Sequence, residues 1–137
     1  MAEKKVVHVA VGVIVDEGQE TQRVFLTRRH LNVHQGGKWE FPGGKVETNE
    51  TVAQALSREL SEEVNIEPLA CQPLLKVEHD YGDKQVLLDV YLVNHFNGQP
   101  SPQEGQESAW YDIGQLADID FPEANVAIVE ALAAHYD

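Results

Sequence analysis

The sequence predicts an α/β fold, a mixed β-sheet covered by helices on its faces, and three observations carry that expectation. Residues 5–15 alternate β-branched and small side chains in the manner of a buried strand. Residues 50–64 place apolar residues at helical spacing, and a second apolar helix follows Pro122. Between them lie strand-like runs in pairs separated by turn residues. Strands, a helix, more strands and a final helix suit a layered sandwich, and the 137 residues, 42% of them hydrophobic, suffice for one domain spanning 1–137.

In chain order, Val7, Val9, Val11, Val13 and Val15 alternate with Val6, His8, Ala10, Gly12 and Ile14. Two lysines precede this run, but period-two β-branched patterning argues for a buried strand and against a secretory leader. The polar segment 16–20 contains Gly18 and closes a hairpin onto a return strand at 23–27, which delivers Arg28, Arg29 and His30 at its exit. Residues 31–38 lack any period and include Gly36 and Gly37, so they read as a surface loop. Trp39, Glu40 and Phe41 form a short strand stopped by Pro42, and the Gly43–Gly44 pair opens a backbone path suited to close approach of a ligand.

The following helix is expected from Glu50 to Val64, capped by Thr48 or Asn49, with Ala53, Leu56, Leu60 and Val64 as its buried stripe. Asn65 falls where a left-handed C-terminal residue belongs, and Pro68 follows the stop. Residues 74–79 and 86–94 make a second hairpin around a turn at 80–84. A loop at 97–107 offers Glu104, a short strand occupies 108–111, and Pro122 opens the last helix, with Ala124, Ala127, Ile128, Ala131 and Leu132 at i, i+3, i+4 spacing.

Composition limits the partners. Ten Lys and Arg stand against 23 Asp and Glu, a net charge of −13, which disfavours nucleic acid polymers and anionic membrane surfaces. One cysteine, Cys71, allows no internal disulfide and fits a reducing, cytoplasmic setting. No stretch approaches the length of a membrane span. A polyanionic small molecule remains compatible with this charge when divalent cations reverse the local field.

The chemistry gathers on the helix. At about 100° per residue, Glu59, Glu62 and Glu63 share one face, related by i,i+3 and i,i+4 spacing. Such crowding calls for a cation, and hard carboxylate oxygens suit Mg²⁺, with Mn²⁺ as a substitute. The same spacing suggests an ion pair between Arg58 and Glu62.

Gly44, Glu50 and the run Arg58-Glu59-Leu60-Ser61-Glu62-Glu63-Val64-Asn65-Ile66 resemble the Nudix box, G-x5-E-x7-R-E-U-x-E-E-x-G-U with U aliphatic. Every specified position matches except Asn65, which replaces glycine and tolerates the same left-handed conformation. Beyond the box, Arg28-Arg29, the segment from Trp39 to Lys45, Glu104-Gly105-Gln106 and the run from Asp120 to Asn125 resemble the branch of this family that hydrolyses 8-oxo-dGTP.

The resemblance implies an α/β/α sandwich around a mixed sheet and Mg²⁺-dependent release of pyrophosphate from oxidised guanine nucleoside triphosphates by a monomeric enzyme. It implies catalytic and metal-binding roles for Glu59, Glu62, Glu63 and Glu104, a metal-facing carbonyl at Gly43, and an orienting role for Arg58. Arg29 and Lys45 would contact phosphate. Asn125 would read the purine, in a pocket lined by His34, Glu40, Phe41 and Pro42. Another nucleoside diphosphate derivative, such as ADP-ribose or a different dNTP, or a silent nucleotide-binding domain stays open, because the box specifies the chemistry and not the base.

Overall fold

The computed structural model describes residues 5–18, 21–32 and 36–136. β1 (Lys5–Asp16) is the spine of a seven-stranded mixed sheet. It runs parallel to β6 (Lys84–Asn97) from Lys5↔Lys84 to Ile14↔Val93. Its other edge is shared by β4 (Gly43–Lys45), at Val9 to Val11, and β2 (Arg23–Arg28), at Val15 and Asp16. β2 carries β3 (Trp39–Glu40) and β7 (Ser108–Asp112), and β5 (Glu67–Asp80) pairs antiparallel with β6 at the far edge.

The predicted alternation of β1 sorts its side chains to two cores. Val11, Val13 and Val15 join Val24, Leu26, Val90 and Leu92 beneath the helix α2 (Val126–His135) and the 3-10 turn Ile113–Asp118. Ala10 and Ile14 pack on the opposite face with Phe25, Val93 and the helix α1 (Val52–Val64). These layers are the expected α/β/α sandwich. Gly12 makes the second core possible, because a Cβ there would lie 2.9 Å from the Leu60 side chain, so α1 could not settle so close to the sheet.

Several details differ from expectation. The hairpin strands β5 and β6 are each 14 residues long. Pro68 and Pro73 had masked the first of these, yet both are tolerated because β5 is an edge strand whose register shifts beside each proline. The last helix is preceded by a single 3-10 turn, Glu123–Asn125, before α2 begins. On α1 the buried stripe is Ala55, Leu56, Leu60 and Val64, whereas Ala53 is exposed.

Candidate active site

α1 starts later than its sequence suggested. Thr51 is the N-cap, its hydroxyl accepting from Gln54 N–H at 3.1 Å while the Gln54 side chain accepts from Thr51 N–H at 2.9 Å. This reciprocal capping box outcompetes Thr48 and Asn49. Asn49 instead takes φ 70° in the turn ahead of it. The end matches expectation: Asn65 adopts φ 61°, ψ 39°, and its N–H returns to the Leu60 carbonyl.

The later start leaves Glu50 outside the helix, facing Arg58. Arg58 Nε donates to Glu50 Oε2 at 2.8 Å and a terminal nitrogen donates to Oε1 at 2.9 Å. That same nitrogen also donates to the Lys45 carbonyl at 3.1 Å, and the other terminal nitrogen donates to Glu59 Oε1 at 2.8 Å. The expected Arg58–Glu62 pair is present but longest, at 3.6 Å, and the Glu62 side chain is 65% exposed. Arg58 thus fixes Glu59 and leaves Glu62 reaching into solvent. Its guanidinium proton is held more tightly than usual by the hydrogen bonds it donates to Glu50 and then Glu59, and Arg58 in turn lowers the Glu50 carboxyl to about 2.

Gly44 completes the seat of Glu59, since a Cβ at position 44 would run into the Glu59 carboxylate. Gly43 is equally cramped, against the Ala10 carbonyl and Val11 Cα of β1. Neither glycine is among the positive-φ residues. The pair is required by lack of space, and the special backbone path expected from sequence is not what it provides.

Glu63 turns inward. Burial pushes its carboxyl up to about 8, the charges of Glu40, Glu104 and Glu59 add to the shift, and the Gly43 backbone hydrogen bond opposes it. Glu104 reaches this position because its loop docks on the end of α1. Ser101 N–H and Gln103 N–H donate to the Val64 and Glu63 carbonyls at 3.0 and 2.9 Å, satisfying acceptors a helix end leaves free. The Gln106 side chain then accepts from Glu104 N–H at 3.0 Å.

Among the described residues no three His, Cys, Asp or Glu side chains converge tightly enough to cage an ion by themselves. Mg²⁺ does not require that, taking one or two carboxylates and completing its shell with water and substrate phosphates. The donors are all hard oxygens, and the charges of Glu40, Glu104 and Glu59 add to burial in raising the Glu63 pKa. That surplus of negative charge fits a divalent cation.

Beside the acidic face opens a cleft of about 640 Å³, within the range of small-ligand sites. Phe41, Pro122 and Ala124 give it apolar lining, as do Val9, Val11, Val86 and Leu88, with Phe41 stacked on Phe121 at 5.3 Å between ring centres. Asn125 is also part of the lining. It occupies the N-cap position of α2, yet its side chain makes no capping bond. Gly43, Gly44 and Lys45 line the same cleft, and Gly44 abuts the Glu59 carboxylate. Arg29 and Glu40 form an ion pair of 2.7 Å on the wall, and burial outweighs Arg29 in raising the Glu40 pKa. Pro42 is buried, its carbonyl engaged by Gly12 N–H at 2.8 Å. His34 lies outside the described residues.

Arg29 and Glu40 also border a smaller niche of about 190 Å³ with Arg28, His30, Glu63, Glu104 and Gln106. The structure therefore brings Glu63, Glu104, Arg29 and Glu40 around the niche, and Gly43, Arg29, Glu40 and Asn125 around the cleft with Glu59 behind Gly44, while Glu62 lines neither. The sequence reading missed Tyr81, Asp83 and Lys84, which line the large cleft from the tip of the β5–β6 hairpin. Locally they read as an ordinary turn. Only the parallel pairing of β6 with β1, which starts at Lys5↔Lys84, carries that tip to the cleft.

A NUDIX domain model matches residues 10–131. An 8-oxo-dGTP diphosphatase of Escherichia coli strain K12 is 40% identical over 128 residues, 93% of this chain and 97% of that protein. One from Proteus vulgaris is 44% identical over 105 residues, 77% of this chain and 91% of that protein. A solved MutT structure, from a study of the Aliivibrio salmonicida and Vibrio cholerae proteins, superposes with a TM-score of 0.84 at 39% identity, covering 96% of this chain and 100% of that one. With the domain matched across most of its length on a sandwich of this topology, the chain belongs to the Nudix family of hydrolases.

Proposed function

We propose that this chain is an 8-oxo-dGTP diphosphatase that converts oxidised guanine nucleoside triphosphates to the monophosphate and pyrophosphate, keeping the damaged base out of DNA. The observation that carries the reading is the lining of the 640 Å³ cleft. Its wall carries Asn125, whose side chain makes no capping bond, and Phe41, together with Lys45 and the glycine pair against Glu59. A nucleotide needs both chemistries in one cleft, a base site and a phosphate site. The relatives named above support the choice of substrate.

In this reading Glu59, Glu62, Glu63, Glu104 and the Gly43 carbonyl hold Mg²⁺, or Mn²⁺ in its place. The bound ion supplies neutralisation of phosphate charge and a water of lowered pKa. Arg58, held by Glu50, keeps Glu59 in one rotamer. The proton of the attacking water passes to Glu59 or Glu104. Lys45 and Arg29 face the phosphates, with Glu40 fixing Arg29. Asn125 pairs with the purine edge, since an amide can donate and accept at once, beside Phe41 and Pro42. Oxidation at C8 turns the N7 acceptor into an N–H donor, so one fixed acceptor in this pocket discriminates between the two bases. The enzyme acts as a monomer in the cytoplasm on a small-molecule substrate.

The test is product analysis. With Mg²⁺ and 8-oxo-dGTP the expected products are 8-oxo-dGMP and pyrophosphate in equal amounts, with turnover abolished by chelation. Glu59→Gln should fold normally and lose turnover by roughly 100-fold or more, as when a group acting in the transition state is removed. Orthophosphate as the first product, or activity indifferent to chelation, would overturn the proposal.

A further inference from the structure

The exit of β2 places three basic side chains in succession, Arg28, Arg29 and His30, in a chain otherwise dominated by acids. Their backbone is pinned on both sides. Arg28 N–H donates to the Glu107 carbonyl at 2.9 Å, Arg29 N–H donates to the Lys38 carbonyl at 2.8 Å, and the Arg29 carbonyl accepts from Gly37 N–H at 3.0 Å. Gly36 packs against the His30 and Leu31 carbonyls so closely that a Cβ there would sit 2.7 Å from the His30 oxygen. His30 is therefore held in place despite lying beyond the strand.

Two adjoining niches share these three residues. One, of about 190 Å³, is closed by Glu63 and Glu104, and the other, of about 340 Å³, by Gly105, Gln106 and Glu107. The arginines are already engaged: Arg29 with Glu40 at 2.7 Å, and Arg28 with the Gly37 carbonyl at 2.8 Å and Glu107 at 3.3 Å. His30 is exposed and, among the described residues, makes no hydrogen bond or ion pair. It is a further basic group of the niche, beside Arg29, able to receive a ligand, and it lines the same niche as the proposed metal-binding carboxylates Glu63 and Glu104.

We propose that His30 is a binding residue for the pyrophosphate end of the substrate, donating a ring N–H to a terminal phosphate oxygen once the carboxylates opposite are neutralised. The inference rests on the triphosphate reading given above and adds to it the direction in which the leaving group points. The terminal phosphates extend from Gly43–Lys45 past Arg29, which lines both the cleft and the niche, to His30. The base stays at Asn125.

The experiment is calorimetric binding of inorganic pyrophosphate in the presence of Mg²⁺, with 8-oxo-dGMP as the second ligand, to the unaltered chain, His30→Gln and His30→Arg. His30→Gln should weaken pyrophosphate binding about tenfold, the scale of one charge-assisted hydrogen bond. It should leave 8-oxo-dGMP binding and the melting midpoint unchanged, whereas His30→Arg should keep pyrophosphate affinity within about twofold, since it restores a cationic donor. In steady state His30→Gln should raise KM with kcat preserved. Pyrophosphate bound equally by His30→Gln and the unaltered chain, or an equal loss for both ligands, would overturn the assignment. Absence of 8-oxo-dGTP cleavage by the unaltered chain would instead count against the proposed function, which the pyrophosphate titration does not depend on.

Discussion

Glu50 and Arg58 form a two-pronged ion pair, with donor–acceptor distances of 2.8 and 2.9 Å, that bridges from the loop ahead of α1 to the helix face carrying Glu59. The glutamate and arginine eight positions apart in the motif therefore act as one structural unit. Arg58 spans Glu50, Glu59 and the Lys45 carbonyl at the same time, which only a planar fork of donors can do.

Loss of this pair should damage catalysis more than folding. Glu50→Gln is expected to lower kcat/KM by roughly 10- to 100-fold, the range for groups that orient metal ligands, and Arg58→Lys should behave similarly because an ammonium cannot reproduce the fork. Steady-state kinetics beside thermal melting checks this. A fall in melting midpoint with unaltered activity would contradict it.

The two glycines of the Gly43–Gly44 pair should fail in different ways. Gly43→Ala drives a methyl into the backbone of β1 and should destabilise the fold by about 1–3 kcal/mol, the usual cost of overpacking. Gly44→Ala meets only the movable end of Glu59. It should keep its melting midpoint while losing activity and Mg²⁺ affinity, as denaturant titration and metal titration of the pair of variants would reveal.

The buried Glu63 carboxyl predicts a pH dependence of the metal-free chain. Its pKa rises from an ordinary 4.5 to about 8 on folding. Between those values the folded chain retains a proton that the unfolded chain has released, so this group favours folding below about 4.5 and loses that contribution as pH rises to 8. Glu50, depressed to about 2, works in the opposite sense and only under acid conditions. Melting in chelator should therefore show the unaltered chain losing stability relative to Glu63→Gln from pH 5 to pH 8. Added Mg²⁺ should shrink the difference at pH 8, and parallel pH curves for the two proteins would refute the assignment.

Much of this arrangement was legible from residue types alone. The period-two valines of β1 identified a strand buried on both faces, and Asn65 marked the helix end because few other residues tolerate its backbone conformation. What stayed hidden was decided at longer range. The start of α1 depended on competition between three possible caps, won by the one with Gln54 three residues on. The length of β5 was concealed by prolines that an edge position accommodates. Tyr81, Asp83 and Lys84 became cleft residues only through strand pairing between segments nearly eighty residues apart.

Asn125 and the box glutamates divide the work between base and phosphate, and the division can be measured. Asn125→Ala should reduce discrimination between the oxidised and normal base by roughly 10- to 100-fold, the worth of one bidentate pair. Its activity at saturating substrate should stay close to normal.

The most direct test of the whole account is a competition assay with equimolar 8-oxo-dGTP and dGTP, both far below saturation, in the presence of Mg²⁺. The ratio of monophosphates formed reports the ratio of kcat/KM values. The proposed function predicts strong preference for 8-oxo-dGMP as product; comparable turnover of the two nucleotides would contradict it.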